Sequence, residues 1–349
     1  MQALRYDAYG VIPSLVEIDS PPLPDDGVLI AVRATGVCRS DWHAWQGHDP
    51  VDLPQVPGHE FAGVVAAVGP EVTTLGVGDR VTAPFVCGCG RCEWCLAGEA
   101  QICPHQSQPG FTMPGTFADL VAIPAADFNV VHLPDAVDFV AAASLGCRFA
   151  TAYRAVTVHG RPKPDEWVAV HGCGGVGLSA VMIATALGAR VIAVDRSLDA
   201  LRAARDFGAE VVLEAGDDTV TAIHEVTGGG ARVSLDAVGT SATAIASIAS
   251  LRPRGRHIQV GLLLGDDAAP AIPMGQVITK ELELYGSHGM AASDYPGMLE
   301  LVASGALRPD RLVGEVIELA DAGAALAAMS GPPTTHGVTV VRMPEPALE

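Results

Sequence analysis

Residues 167–181 read "WVAVHGCGGVGLSAV": a β-branched run, a glycine turn and an apolar continuation. From Trp167 to Ala189 the chain carries no Asp, Glu, Lys or Arg, a length that would cross a bilayer. His171 and five glycines interrupt it, however, and the halves differ in character, so a buried strand, a turn and a buried helix are expected instead. Gly172, Gly174 and Gly177 stand at the spacing of a dinucleotide fingerprint. Gly172 permits the tight turn, Gly174 lets the backbone approach a pyrophosphate, and Gly177 lets helix and strand pack closely. The helix start, with Gly175 and Val176, then offers unpaired N–H groups to phosphate. Asp195 ends the next apolar run, "RVIAVD", 18 residues after Gly177. A carboxylate there bonds both ribose hydroxyls of NAD and repels the 2′-phosphate of NADP, although Arg196 beside it tolerates that phosphate. The plainer reading of Asp195 is a helix N-cap at a strand end. With the glycine turn in place, NAD is favoured over NADP.

Outward from this segment, "SLDALRAARDFGA", "EVVL", "RVSLDAV", "RHIQVGL" and "LELYG" continue a strand–helix alternation. Such alternation predicts a doubly wound α/β domain with a parallel sheet. Before residue 148 the texture differs: short apolar runs such as "GVLIAVRATGV" and "EFAGVVAAVG", broken by Pro and Gly, predict an all-β domain with a barrel tendency. The closing segment, "MLELVASGAL" through "GVTVVRM", has one helix-like stretch and a last strand.

The 349 residues suffice for two domains, and 49% hydrophobic content supports a globular chain. A net charge of −19 repels phosphate backbones and anionic lipid, so neither nucleic acid nor membrane is an expected partner. The N-terminus "MQALRYDAYGVIPSL" has no basic start followed by an apolar core, so no secretory leader is expected and a cytoplasmic location follows. Eight cysteines in such a setting are more often metal ligands than disulfides.

Five of those cysteines crowd into "VCGCGRCEWCLAGEAQIC" (residues 86–103). Cys89, Cys92, Cys95 and Cys103 follow C-x2-C-x2-C-x7-C, and four thiolates close a zinc coordination sphere with no position left for substrate. Elsewhere "GVCRSDWHAW", "PGHEFAG" and "LGCRFATAY" hold Cys38, His59 and Cys147. Singly these are unremarkable. Together, two thiolates and an imidazole are a catalytic zinc set that leaves a fourth position open. The bland reading of "RSDWH" is a short helix capped by Ser40 or Asp41, with Trp42 and Trp45 as packing.

The motifs "GVCRSDWH", "GHE", "CGRCEWCLAGEAQIC", "LGCRFATAY" and "GCGGVG" occur in the order found in zinc-containing medium-chain alcohol dehydrogenases, and the resemblance spans essentially the whole chain. It implies a GroES-like β-barrel catalytic domain (1–148), a Rossmann cofactor domain (149–285) and a return to the catalytic domain (286–349). The length resembles the tetrameric microbial members, which implies a homotetramer, with a homodimer as the alternative. Carried over by position, Cys38, His59 and Cys147 resemble the catalytic zinc ligands and the 89–103 cysteines the structural zinc lobe, giving two zincs per chain.

Asp41 resembles the carboxylate that orients His59, as a ligating imidazole requires. Glu60 resembles a residue behind the zinc that approaches it during ligand exchange. Arg39 corresponds to a pyrophosphate contact, and Val260 and Leu262 to further cofactor contacts. Ser40 and His43 resemble a proton relay that runs through the nicotinamide ribose, for which an imidazole titrating near neutrality is suited. Trp45, His48, Phe85, Phe111 and Leu262 correspond to substrate-pocket walls, which suit aliphatic or aryl primary alcohols oxidised to aldehydes. Polyol dehydrogenases of the superfamily commonly carry a carboxylate where this chain has Cys147. Many relatives also place a pyrophosphate-binding arginine before the last strand, where this chain has Val338.

Three rival readings remain: a secondary-alcohol, polyol or other zinc dehydrogenase of the superfamily, or an aldehyde reductase, using NADP; a zinc-independent NADPH quinone reductase; and a zinc-ribbon binding protein. The metal-type residues oppose the second; acidity and the glycine turn oppose the third.

Overall fold

Val28–Val37 (β1) alternates buried and half-buried positions over its first six residues and then turns wholly inward. Such a strand lies in the middle of an antiparallel sheet and ends in the core. The computed structural model describes residues 1–331 and 337–344. The chain divides into two units, Met1–Ala150 with Gly289–Glu349, and Thr151–His288.

In the first unit β1 is the hub. It pairs antiparallel with Glu60–Val68 (β2), Leu120–Ile123 and Val338–Arg342. The sheet runs Val313–Glu318, Val338–Arg342, β1, β2, Arg80–Thr82, Val131–His132. Tyr6, Ile30, Phe61, Phe117 and Ile123 are fully buried in its core. Gly36 pairs with Glu60, so the end of β1 and the start of β2 meet at one edge. The short helix Arg39–Gln46 (α1) departs there, and Gly47 closes it in the left-handed conformation.

The second unit is a six-stranded, wholly parallel sheet. Its strands are Trp167–His171 (β3), Arg190–Asp195 (β4), Val211–Glu214 (β5), Ala231–Asp236 (β6), Leu251–Gln259 (β7) and Glu283–Gly286 (β8). Their order is β5-β4-β3-β6-β7-β8. Numbered within the unit this is 3-2-1-4-5-6, with the order reversing between β3 and β6. The segment that imitated a membrane span is β3, the glycine turn and the helix Gly175–Ala186 (α2). Residues 177–184 of α2 are all buried, which explains a helix apolar on every side. Among the described residues no helix is long and apolar enough to cross a membrane.

Candidate active site

Cys38 follows the last residue of β1, His59 precedes the first of β2, and Cys147 lies in the π-helical turn Leu145–Phe149. The pairing of β1 with β2 draws the first two together. Buried Tyr295 donates its hydroxyl to the Gly146 carbonyl at 3.2 Å and fixes the turn that brings the third. Ligand atoms of Cys38, His59, Glu60 and Cys147 all lie within 4.8 Å of one another. Tetrahedral zinc with thiolate and imidazole ligands sets its donor atoms about 3.3–3.8 Å apart. The cluster is compact enough for its atoms to close on one ion.

Asp41 organises it. One carboxylate oxygen accepts His59 Nδ1–H at 2.8 Å and the Gly58 N–H at 3.0 Å, and the other accepts the Cys38 N–H at 3.1 Å. Nδ1 thus carries a proton, which leaves Nε2 as the nitrogen available to a metal. His59 Nε2 is buried and has no hydrogen-bond partner, an orphan that a metal ion would satisfy. The Cys38 thiol is held well below its ordinary range, chiefly by a hydrogen bond from Cys147, with burial opposing and Arg148 and His59 assisting. The Cys147 thiol is pushed up by that same bond and by burial.

Glu60 is fully buried, and Arg148 clamps it. The Arg148 backbone N–H and Nε–H reach Oε1 at 3.1 and 3.0 Å, and a second guanidinium nitrogen bonds Oε2. Burial pushes the Glu60 carboxyl up, and the Arg148 guanidinium pulls it back. The clamp was missed in the sequence, where Arg148 stands beside Cys147 as an unassigned basic residue.

The N-cap of α1 is Cys38, not Ser40 or Asp41; Asp41 instead reaches back from the third helical position to the Cys38 N–H. Ser40 and His43 lie one turn apart, a spacing that puts them on one face. His43 Nδ1 is 3.2 Å from Nδ1 of exposed His48. The His43 imidazole is lowered by burial first, then by His48 and Arg39. Arg39 lies over Trp42 at 4.9 Å and donates to the Met329 carbonyl.

Trp45 is 4% exposed within the barrel core, its indole N–H donating to the Val11 carbonyl at 2.6 Å. His48 is exposed and partners His43. Phe85 and Phe111 do stand edge-on to His59, with ring centroids 5.8 and 5.2 Å away. Val338 is buried in its strand opposite Val313 and offers no charge.

The thiols of Cys89, Cys92, Cys95 and Cys103 form a second cluster with the same spread. Cys92 Sγ lies 3.5 Å from Cys95 Sγ and 3.7 Å from Cys103 Sγ, and none is disulfide-bonded. Cys87 and Cys173, left without a role by sequence reasoning, are buried thiols pushed up to about 12 by burial, hence inert packing.

In the second unit Gly172 has φ +93°, which an L side chain rarely adopts. A Cβ on Gly177 would lie 1.8 Å from the Gly172 carbonyl oxygen, whereas one on Gly174 would meet no protein atom. Only the middle glycine therefore borders open space, as a backbone approached by a ligand must. Asp195 accepts the Cys173 N–H at 2.7 Å and the Ser197 N–H at 2.8 Å. A cavity of about 420 Å³ opens beside it, lined by His171, Gly172, Asp195, Arg196, Thr240 and Thr243 among others. It sits at the carboxyl ends of the strands where their order reverses, the usual ligand crevice of such sheets.

Gly175 and Val176 start α2. The Val260 N–H donates to the Asp236 carbonyl, and exposed Leu262 follows beside Gly239. Asp236 and His171 were also missed. Asp236 is fully buried and accepts the Val238 N–H, the Gln259 amide and the Thr243 hydroxyl, shaping one wall of the cavity. An acid ending a strand, as in "RVSLDAV", was the available signal. Nε2 of His171 is buried without a partner.

Comparison with known proteins agrees with this geometry. Residues 24–135 match the alcohol dehydrogenase GroES-like domain, and 175–304 match the zinc-binding dehydrogenase domain. An alcohol dehydrogenase from Geobacillus stearothermophilus is 36% identical over 307 residues, 87% of this chain and 88% of that one. Among solved structures, an alcohol dehydrogenase from Thermus sp. ATN1 superposes with a TM-score of 0.91 at 29% identity, covering 99% of this chain and all of that one. An NAD-dependent alcohol dehydrogenase does so at 0.89 and 30%, covering 98% and 99%. A GroES-like domain followed by a zinc-binding dehydrogenase domain marks the class of zinc-binding dehydrogenases. Within that class, this chain belongs to the alcohol dehydrogenase family of oxidoreductases.

Proposed function

We propose that the chain reversibly oxidises primary alcohols, aliphatic or aryl, to aldehydes, with NAD as cofactor and two zincs per subunit. Cys38, His59 and Cys147 would hold the catalytic zinc and the four cysteines of 89–103 the structural one. The observation that carries this is His59: buried, tautomer set by Asp41, its Nε2 unpartnered beside two thiols. When bound, zinc supplies a Lewis acid to the alcohol or carbonyl oxygen, and the nicotinamide supplies a hydride acceptor.

The chain's own residues do the rest. Ser40 takes the hydroxyl proton; His43, one turn along the helix, delivers it to solvent beside exposed His48. Phe85 and Phe111 supply apolar walls next to His59, which suit an alkyl or aryl group better than a polyol. Gly174 admits the pyrophosphate, with Arg39 as a further phosphate contact. Asp195 selects NAD through the ribose hydroxyls, and Arg196 at the same cavity is the feature that admits NADP. We further assign a cytoplasmic homotetramer, supported by eight unpaired thiols and by the length of the chain.

The test is a panel of aliphatic, benzylic and polyol alcohols with NAD and NADP, following reduced cofactor. Faster turnover of primary alcohols with NAD is expected, and turnover confined to polyols or to NADP would contradict the assignment. Light scattering of the purified enzyme reads the assembly.

A further inference from the structure

The second unit carries a hollow that neither the zinc clusters nor the dinucleotide cavity uses. It has about 690 Å³ and is lined by Arg161, Lys163, Arg232, Arg252, Arg254 and Arg256, with Glu166 as the one acidic residue on its wall. In a chain of net charge −19 with 21 basic residues, six of them face one concavity. The cations come from the starts of β6 and β7 and from the exposed loop before β3. The hollow therefore lies at the amino ends of the strands, whereas Gly172 and Asp195 lie at or beyond the carboxyl ends of β3 and β4.

Neutralisation is incomplete. Arg252 and Arg232 share Glu166, at 2.9 and 3.8 Å, Arg254 bonds Glu281 at 2.7 Å, and Arg256 bonds Glu283 at 3.1 Å. Asp165, next in sequence to Glu166, acts on Arg190 instead. Among the described residues the side chains of Arg161 and Lys163 have no carboxylate partner, while the Lys163 backbone N–H donates to the Glu166 carboxylate at 3.0 Å. Six cations against three carboxylates leave an excess of three positive charges. Arg232 is held in place by donating to the Arg254 carbonyl. Arg161 and Arg254 also hold φ of +47° and +61°, strained backbone for residues with side chains. Like charges gathered on ordered backbone in a cavity of ligand size call for a compact anion of several charges.

We propose that this hollow binds a polyphosphate-class anion, such as an inorganic oligophosphate or the phosphate tail of a nucleotide, independently of the dinucleotide site. The test is calorimetric titration of the zinc-loaded enzyme, saturated with NADH, with sodium tripolyphosphate, with zinc content measured before and after. One site per chain is expected, weakening as salt rises, far tighter than sulfate, with zinc unchanged. The double variant Arg161→Gln/Lys163→Gln, both in an exposed loop, weakens it by about tenfold or more with NADH affinity unchanged. Lys163→Glu alone acts in the same direction. Tripolyphosphate binding lost once NADH is bound, equal affinity for sulfate, or unchanged affinity in both variants would overturn the proposal. A nucleoside triphosphate in a parallel titration tells the two phosphate sources apart.

Discussion

Three N–H donors converge on the Asp41 carboxylate, and one of them decides which nitrogen of His59 can ligate. Asp41→Asn keeps the shape but loses the fixed tautomer. Zinc affinity at the catalytic site should fall about 10–100-fold, measured by competition with a chromophoric chelator. His43 governs the pH dependence. Its imidazole must be neutral to accept a proton, and burial keeps it neutral to lower pH. The acid limb of kcat/KM for alcohol oxidation should therefore lie below the ordinary histidine value of about 6.5. His48→Ala removes a like charge and should move that limb upward; a limb that stays put would show that His43 does not carry the proton. Arg148→Met leaves Glu60 buried and unpaired. The loss expected is about 3–5 kcal/mol of unfolding free energy in urea, beyond what an exposed arginine would cost.

The glycine turn between β3 and α2 is the clearest test of an element. With Gly177 packed against the Gly172 carbonyl, Gly177→Ala forces the backbone apart. It should cost about 1–3 kcal/mol of stability and weaken NADH binding. Gly174→Ala should spare stability and weaken binding alone, because its Cβ meets only open space. Asp195→Ala should narrow the preference for NAD over NADP by roughly tenfold, read as a ratio of kcat/KM values.

What was readable in the sequence follows from range. The glycine turn and the 89–103 cysteines are local patterns whose spacing carries their geometry. The clamp of Arg148 on Glu60 joins residues 88 apart, and the Tyr295 support of Gly146 joins residues 149 apart. No local period marks either. The position of Trp45 on a short helix is compatible with a core and with a pocket wall, and no local pattern separates the two.

For the whole molecule, a buried histidine contributes to the acid limit of stability. His171 is 3% exposed, and burial lowers its imidazole to about 4. The unfolded chain takes up that proton near pH 6.5 while the folded one resists it, so stability holds above 6.5 and is lost as pH falls toward 4. This site alone should cost about 2 kcal/mol between pH 6.5 and 4.5. His171→Leu should flatten that part of the urea stability profile, whereas an unchanged slope would place the loss elsewhere. Two separated clusters holding two metals of different purpose are a countable property of the purified protein. Zinc per chain should be two in the wild type and one in Cys147→Ala, which should still bind NADH but lose turnover. Two zincs in that variant, or none in the wild type, would contradict the account.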